Sequence, residues 1–466
     1  MTTFYIEQFG CRATQADGAA IERQLREQGY RMVAQASAAD VVVLNTCTVT
    51  AAADTQARDA IRKIHVASPA TRIIVTGCYA QRAPDELAAL PGVTHVVGNS
   101  HKTQIPALVD TIRAKPGISA ASGLLPLTAL QTGLPVAEAA TARILTGDIF
   151  DLSEILAAPV LGGEGSHTRP ILKIQDGCNS RCSFCVIPFV RGRSRSLAPG
   201  KVVAEIQRLA EAGYREIVLS GINLGTYGRD LTPRVEFLEL LRQILGETSL
   251  ERVRVSSVEP LDVTRDLVEL FASTRRLAPH FHMPLQSAAD RILAAMHRWY
   301  RAEHYARRVE IIRERLPHAA IGADVITGFP GETEEDHACT LRFIEQRGFT
   351  YLHVFSYSRR PGTKADLLPN QIVGSVIKRR ARELRELAKE KSAEFFRSQA
   401  GRTLRFLTLR RGAKDDPCRT PAISENFLTL ELPFVLSPNQ FVDATVGQEG
   451  DANLAGLPAA AALTTT

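Results

Sequence analysis

One short segment of the sequence decides the fold of the central part of the chain: residues 171–185 read ILKIQDGCNSRCSFC. Its apolar start, Ile171–Ile174, is typical of a buried strand. Five more strand candidates follow, with helical segments between them, at 216–220, 252–256, 280–285, 321–326 and 352–357. This alternation predicts an α/β fold with a parallel partial (β/α)6 barrel. Active sites of such barrels lie at the carboxyl ends of the strands.

Three cysteines follow the first of these strands. Cys178, Cys182 and Cys185 are separated by three and two residues. An iron–sulfur cluster and a structural zinc ion each ordinarily take four protein ligands. A trio with no local fourth ligand therefore leaves one metal position open for a substrate or cofactor. The alternative is a zinc site that a distant side chain, His167 or His280, completes.

Three more cysteines belong to a second alternating pattern of strands and helices near the N-terminus. Cys11, Cys47 and Cys78 each come just after a strand candidate. In a parallel sheet the carboxyl ends of the strands share one edge, where ligands bind. We therefore expect the three thiols to converge. The alternative is that they are ordinary buried cysteines.

The overall composition excludes several classes of protein. The chain has 466 residues, of which 45% are hydrophobic and 23% charged, as is ordinary for a soluble globular protein of about three domains. No apolar run approaches the ~18 residues of a membrane helix, and the first residues lack the features of a signal peptide. Eight cysteines are too few for a disulfide scaffold. We expect a cytoplasmic protein that does not enter the membrane.

The formal charge of +6 is concentrated near the C-terminus. Residues 378–411 contain twelve Lys or Arg and four Glu, a helical segment that offers a phosphate-facing surface unless it is only a solvated face. Short strand candidates beyond it predict a small β-barrel. The expected domains are an N-terminal parallel α/β domain (1–114), a linker (115–168), the partial barrel (169–397), the small β-barrel (398–458) and a disordered tail (459–466).

The CxxxCxxC spacing, with Phe184 before the last cysteine, resembles the radical S-adenosylmethionine superfamily. The resemblance implies a [4Fe–4S] cluster on Cys178, Cys182 and Cys185, whose open iron binds the amino and carboxylate groups of S-adenosylmethionine. Reductive cleavage of the sulfonium then gives a 5′-deoxyadenosyl radical. The six strand candidates agree with the partial barrel of that superfamily.

Within that superfamily, nearly the whole chain resembles the methylthiotransferases. These proteins combine a three-cysteine α/β domain, a radical barrel and a small TRAM-type β-barrel. The matching sequence motifs are Asn45-Thr-Cys47, Gly77-Cys-Tyr-Ala80, Arg191-Gly-Arg193-Ser-Arg195-Ser196, Ser220-Gly-Ile-Asn223, Ser256-Ser-Val-Glu259-Pro260, Met283-Pro-Leu-Gln286-Ser287, Thr327-Gly-Phe-Pro-Gly-Glu332 and Phe355-Ser-Tyr357-Ser.

The resemblance also implies roles for particular residues. Cys11, Cys47 and Cys78 would hold a second [4Fe–4S] cluster, which carries the sulfur that is methylated and inserted. The residues implied in binding S-adenosylmethionine are Phe184, Gly221, Asn223, Ser257, Glu259 and Gln286.

Three arginines follow the central cysteines closely: Arg191, Arg193 and Arg195. Their guanidinium groups suit phosphate or carboxylate. We expect them to contact substrate RNA or to shape the cofactor pocket, unless they form a solvated charged loop. The sequence also departs from the family pattern, with Thr14 in place of the usual Asn and Ser287-Ala288-Ala289 in place of the usual Ser-Gly-Ser.

The resemblance implies an enzyme that places a methylthio group on an unactivated carbon. The words at 45–50 (NTCTVT) and 147–150 (GDIF) are most similar to the branch that acts on C2 of N6-threonylcarbamoyladenosine at position 37 of tRNA. The alternatives are isopentenyladenosine in tRNA, an aspartate of a ribosomal protein and, in another class, a non-enzymatic iron–sulfur carrier. We expect a monomer that receives electrons from a flavodoxin- or ferredoxin-type protein.

Overall fold

The structure is a computed structural model that describes residues 2–114, 142–161, 168–412 and 415–447. The expected disordered tail, much of the expected linker and His167 lie outside these residues. The chain divides into two compact units, one of Met1–Ala158 with Phe189–Gly192 and one of Pro159–Pro188 with Arg193–Thr466. No described helix combines the length and the apolar character that a bilayer-spanning segment requires.

The N-terminal unit is a parallel sheet with helices on both faces. Its strands pair in the order β2-β1-β3-β4-β5-β6. Its elements are β1 (Thr3–Gln8), α1 (Arg12–Glu27), β2 (Arg31–Met32), β3 (Val41–Thr46), α2 (Ala51–Ala67), β4 (Arg72–Gly77), α3 (Cys78–Arg82), α4 (Pro84–Ala88), β5 (Val93–Gly98), α5 (Ile105–Ala114) and β6 (Arg143–Leu145).

The buried strand β3 shows why this sheet forms. Successive side chains of a strand point to opposite faces. Val43 accordingly packs in the cluster that contains Ile21 of α1, and Leu44 packs in the cluster that contains Ile61 of α2. β6 falls within the predicted linker and adds a strand beside β5, because its short apolar segment can extend the sheet edge.

The second unit contains the central barrel. The elements along the chain up to the end of the barrel are β7 (Ile171–Lys173), β8 (Gln175–Asp176), α6 (Ile187–Arg191), β9 (Arg195–Ser196), α7 (Pro199–Glu211), β10 (Glu216–Ser220), α8 (Phe237–Glu247), β11 (Arg252–Val255), α9 (Arg265–Ser273), β12 (His280–His282), α10 (Asp290–Ala295), α11 (Ala302–Arg315), β13 (Ala320–Thr327), α12 (Glu334–Glu345) and β14 (Tyr351–Ser356). The last residues of α6, from Phe189, belong to the N-terminal unit.

Six parallel strands of this unit correspond to the six candidates in the sequence. They pair as β11-β10-β7 and β12-β13-β14, and a parallel bridge from Val253 to Leu277 connects the two sets. Phe281, Ile321 and Leu352 share one core cluster with residues of the surrounding helices. The predicted α/β fold with a partial barrel is confirmed.

A long helix leads from the barrel to a C-terminal antiparallel sheet. The elements are α13 (Gly374–Gln399), β15 (Thr403–Thr408), β16 (Thr420–Ser424), β17 (Thr429–Leu432) and β18 (Phe441–Thr445). The strands pair in the order β17-β16-β15-β18, around a core that includes Phe406 and Leu430. Closure of this sheet into a TRAM-type barrel stays a prediction.

Candidate functional site

The three N-terminal cysteines lie at the carboxyl edge of their sheet. Cys11 follows β1, Cys47 follows β3, and Cys78 follows β4. Because these strands are neighbours in the sheet, the three positions converge. Gly10 has a φ of +101°, and a Cβ there would lie 2.4 Å from the Cβ of Cys47. Only glycine permits this approach.

The N-terminal thiols act on one another electrostatically. Burial, with smaller contributions in the same direction from the Cys78 and Cys11 thiols, raises the pKa of Cys47 to about 12. The site therefore needs a bound cation to hold thiolates at neutral pH. Hydrogen-bonding groups already face the sulfurs: Thr14 Oγ1 lies 3.6 Å from Cys11 Sγ, and Asn99 Nδ2 donates to Cys78 Sγ at 3.6 Å.

The central trio lies in the loop between β8 and α6. The backbone N–H of Ser180 donates to Cys178 Sγ at 3.4 Å, and that of Cys185 donates to the carbonyl oxygen of Cys182 at 3.1 Å. Burial raises the pKa of Cys185 to about 12, with smaller contributions in the same direction from Cys182 and Cys178. The thiols of this loop, like those of the N-terminal site, would lose their protons on binding a metal centre.

Neither trio has the spacing that a single ion requires. Zinc–sulfur bonds are about 2.3 Å, so the thiolates of one zinc ion lie within ~4.6 Å of one another. In the described part of the chain, neither trio gathers three Sγ atoms within 4.8 Å. His280, the described candidate for a fourth zinc ligand, instead hydrogen-bonds Tyr351 at 2.8 Å. The donor set fits a larger iron–sulfur cluster with an open position.

A buried ion pair adjoins the central trio. Arg298 donates to Cys182 Sγ at 3.3 Å and pairs with Glu259. Burial raises the pKa of Glu259, and Arg298 acts against this shift. A cavity of about 290 Å³ is lined by these three residues together with Asn223 and Trp299. The cysteine motif and two predicted cofactor residues thus share one cavity.

Several buried oxygen atoms at the carboxyl ends of the barrel strands have no hydrogen-bond partner among the described residues. They are Asn223 Oδ1, Ser256 Oγ, Gln286 Oε1 and Thr327 Oγ1. Leaving such atoms unsatisfied costs about 1–3 kcal/mol each, so their presence favours a polar ligand. Gln286 has a φ of +62°, and its backbone is held between Asp324 and Ile326 by hydrogen bonds of 2.8 and 2.9 Å.

The remaining predicted cofactor residues have different surroundings. Phe184 packs on the apolar cluster that contains Met296 and Phe329, and Ser257 is half-buried. A Cβ on Gly221 would lie 2.8 Å from Leu224 and 3.0 Å from Gln175 Oε1, so the backbone passes close to its neighbours there. The cofactor roles of these three residues stay predictions.

Only one of the three predicted RNA-contacting arginines is exposed. Arg191 is 2% exposed and donates to Asp17 Oδ2 at 3.0 Å, and Arg195 is 7% exposed. A buried guanidinium does not meet an approaching polyanion. We therefore correct the expectation of RNA contact for Arg191 and Arg195, while it stays a prediction for the exposed Arg193.

A polar group on one face of the barrel strands escaped the sequence analysis. Asp324 Oδ1 lies 3.0 Å from His282 Nε2 and 3.2 Å from His353 Nδ1. Burial acts to raise the pKa of Asp324, but the hydrogen bonds to both histidines outweigh it and hold the carboxyl ionised. The signal was present in the sequence, because these polar residues alternate with the apolar residues of β12, β13 and β14.

Comparison with known families assigns both parts of the chain. Residues 3–98 match the family described as "Uncharacterized protein family UPF0004", and residues 172–344 match the radical SAM superfamily.

Named relatives extend over most of the chain. The threonylcarbamoyladenosine tRNA methylthiotransferase MtaB of Aquifex aeolicus is 37% identical over 86% of this chain and 92% of its own length. The MtaB of Bacillus subtilis is 36% identical over 85% and 82%. The tRNA-2-methylthio-N(6)-dimethylallyladenosine synthase of Thermobifida fusca is 36% identical over 89% and 79%.

One solved structure supports the fold. The radical S-adenosylmethionine methyltransferase TsrM of Kitasatospora setae superimposes with a TM-score of 0.56, covering 79% of this chain and 77% of that one. At 16% identity the likeness shows the fold alone.

Proposed function

Because this chain belongs to the radical S-adenosylmethionine methylthiotransferase family, we propose that it adds a methylthio group to C2 of N6-threonylcarbamoyladenosine at position 37 of tRNA. The observation that carries this proposal is the presence of two three-cysteine sites, one at the carboxyl edge of the N-terminal parallel sheet and one in the loop between β8 and α6. The relatives named for threonylcarbamoyladenosine support this substrate. The relative named for dimethylallyladenosine, at 36% identity, makes that nucleoside the second candidate.

Each cysteine site would hold one of the two [4Fe–4S] clusters that this enzyme family uses. Cys178, Cys182 and Cys185 would bind the cluster that takes S-adenosylmethionine, and Cys11, Cys47 and Cys78 the second cluster. When bound, these groups supply radical activation of a C–H bond and the methylthio group.

The side chains around the central cysteines would orient the cofactor. The oxygen atoms of Asn223 and Gln286 accept hydrogen bonds and suit an ammonium group or ribose hydroxyls. The hydroxyls of Ser256 and Thr327 can donate to a carboxylate. Phe184, in its apolar cluster, would exclude water from the reacting centre.

An exposed basic stripe on α13 supports tRNA as the substrate. Its residues follow helical spacing on one face: Lys378, Arg382, Arg385 and Lys389. Arg380 of the same helix is buried and pairs with Glu332 at 2.7 Å. Part of the positive charge of α13 therefore forms buried ion pairs. The exposed stripe is the part that would contact the phosphates of tRNA.

Neutralising the stripe tests this surface. Changing Lys378, Arg382 and Arg385 to Gln should weaken tRNA binding and reduce the slope of log affinity against log salt by ~2.1–2.7, at ~0.7–0.9 for each of three phosphate contacts. A control with Lys63, Lys201 and Arg242 changed to Gln removes the same charge from other exposed positions. Equal slopes for the two triple variants would count against the stripe.

The substrate is tested with reconstituted enzyme, S-adenosylmethionine, a reductant and two tRNAs, one bearing each candidate nucleoside. We expect methylthio product, detected by mass spectrometry, from the threonylcarbamoyl tRNA and none with Cys178→Ala. Product from the dimethylallyl tRNA alone would establish the second candidate. Cleavage of S-adenosylmethionine with neither tRNA modified would direct the search to a ribosomal protein. No cleavage under reduction would favour an iron–sulfur carrier.

A further inference from the structure

Three charged side chains form a buried ion cluster in the N-terminal unit. Asp17 Oδ2 accepts from Lys102 Nζ at 2.8 Å and from Arg191 Nη2 at 3.0 Å. The three residues are 2%, 4% and 2% exposed. Two cations share one carboxylate, so the formal charges of these three side chains sum to +1.

The ion cluster is connected to the cysteine site through Thr14, the residue that departs from the family pattern. Thr14 Oγ1 accepts from Arg191 Nη2 at 3.3 Å and lies 3.6 Å from Cys11 Sγ. Because the hydroxyl oxygen already accepts from Arg191, its hydrogen is free to point at the sulfur. A metal-bound thiolate can only accept, which fixes this direction of donation.

Both cations lie within electrostatic reach of the thiols. Burial raises the pKa of Cys47, and Arg191 acts in the opposite direction. Burial lowers the pKa of Lys102, and Asp17 and Cys78 oppose that shift. Asn45 Nδ2 donates to the carbonyl oxygen of Thr14 at 2.7 Å. This bond holds the first turn of α1, from which Thr14 contacts Cys11 and Arg191.

The formal charge of the ion cluster is opposite in sign to that of the iron–sulfur cluster expected at the N-terminal cysteines. Three thiolates around an oxidised [4Fe–4S] core carry a net charge of about −1, opposite to that of the ion cluster. We propose that Asp17, Lys102 and Arg191, linked to Cys11 by Thr14, set the reduction potential of the N-terminal iron–sulfur cluster. This inference rests on the ligand set given under the proposed function. Nearby positive charge and hydrogen bonds to sulfur favour the reduced state, which is more negative.

The test isolates the N-terminal cluster in a background with Cys178, Cys182 and Cys185 changed to Ala. Its midpoint potential is measured by a redox titration followed by electron paramagnetic resonance. Lys102→Met should lower the equilibrium constant for reduction about tenfold, or ~59 mV for one electron, and Asp17→Asn should raise it. Thr14→Val should lower it by less. The control Lys63→Met, at an exposed site, should not change it.

The opposite signs separate this role from a merely structural one. Unchanged potentials, or shifts of the same sign for Lys102→Met and Asp17→Asn, would overturn the proposal. Loss of iron from both variants would also overturn it, because removing the carboxylate should strengthen the binding of an anionic cluster. Absence of iron from the background itself would instead show that Cys11, Cys47 and Cys78 are not the ligands, and the inference would fail with that assignment.

Discussion

The carboxylate of Glu216 holds two arginines of the central barrel that hydrogen-bond the C-terminal sheet. Removing its negative charge should therefore destabilise the second unit. Its buried carboxylate accepts from Arg254 at 2.8 Å and from Arg252 at 3.3 Å. These two arginines also donate to backbone carbonyls of the C-terminal sheet, at Arg405 and Ser424. In Glu216→Gln the arginines would lose their buried counter-charge.

The magnitude follows from the pKa of Glu216. Burial acts to raise this pKa, but Arg254, Arg169 and Arg252 outweigh it and lower it from 4.5 to about 2. At about 1.4 kcal/mol per pKa unit, the ionised carboxylate contributes about 3 kcal/mol to the free energy of unfolding. Because the folded-state pKa is depressed, this contribution is present above about pH 4.5 and is lost as the pH falls toward 2. It should be about 2 kcal/mol at pH 3.5.

The assay compares urea unfolding of full-length, iron-free chains by circular dichroism at pH 7 and pH 3.5. Glu216→Gln should be less stable than the parent by about 3 kcal/mol at pH 7, and the difference should shrink at pH 3.5. Glu247→Gln, at an exposed site, is the matched control. Equal stabilities of the two variants at pH 7, or a difference that stays constant with pH, would refute the reasoning.

Three further changes test the site. Gly10→Ala would place a Cβ 2.4 Å from that of Cys47 and so disturb the N-terminal cysteine site. Iron analysis should then give about four iron atoms per chain instead of about eight. The control Gly29→Ala, which has a similar φ but open space around it, should keep about eight. Arg298→Met removes the hydrogen bond to Cys182 and should slow S-adenosylmethionine cleavage about tenfold or more. The cleavage rate of Arg298→Lys should lie between those of Arg298→Met and the parent. Trp299 is 81% exposed beside the cavity, and Trp299→Ala should weaken tRNA binding about tenfold through lost base stacking, as measured by filter binding.

The placement of the six cysteines of the two candidate sites could be predicted because the relevant information is local. Each N-terminal cysteine follows a strand candidate, and parallel strands bring their carboxyl ends to one edge whatever fills the rest of the domain. Gly10 belongs to the same local word, and its φ of +101° is a conformation that glycine adopts freely.

The ion cluster could not be predicted, because its members are far apart in sequence. Lys102 and Asp17 are separated by 85 residues, and Arg191 and Asp17 by 174. The sequence predicts contact of Arg191 with RNA because its guanidinium group suits phosphate, whereas Arg191 is buried in the folded chain. Its burial depends on a partner that only the folded chain supplies. The same holds for Arg298, whose partners Cys182 and Glu259 come from different loops.

The central claim is tested most directly by nucleoside mass spectrometry of total tRNA from a strain that lacks this gene. We expect loss of 2-methylthio-N6-threonylcarbamoyladenosine and accumulation of its unthiolated precursor. The wild-type gene should restore the modification, and Cys47→Ala or Cys178→Ala should not. Persistence of the methylthio nucleoside in the deletion strain, with no second enzyme responsible, would contradict the account, as would full restoration by either cysteine variant.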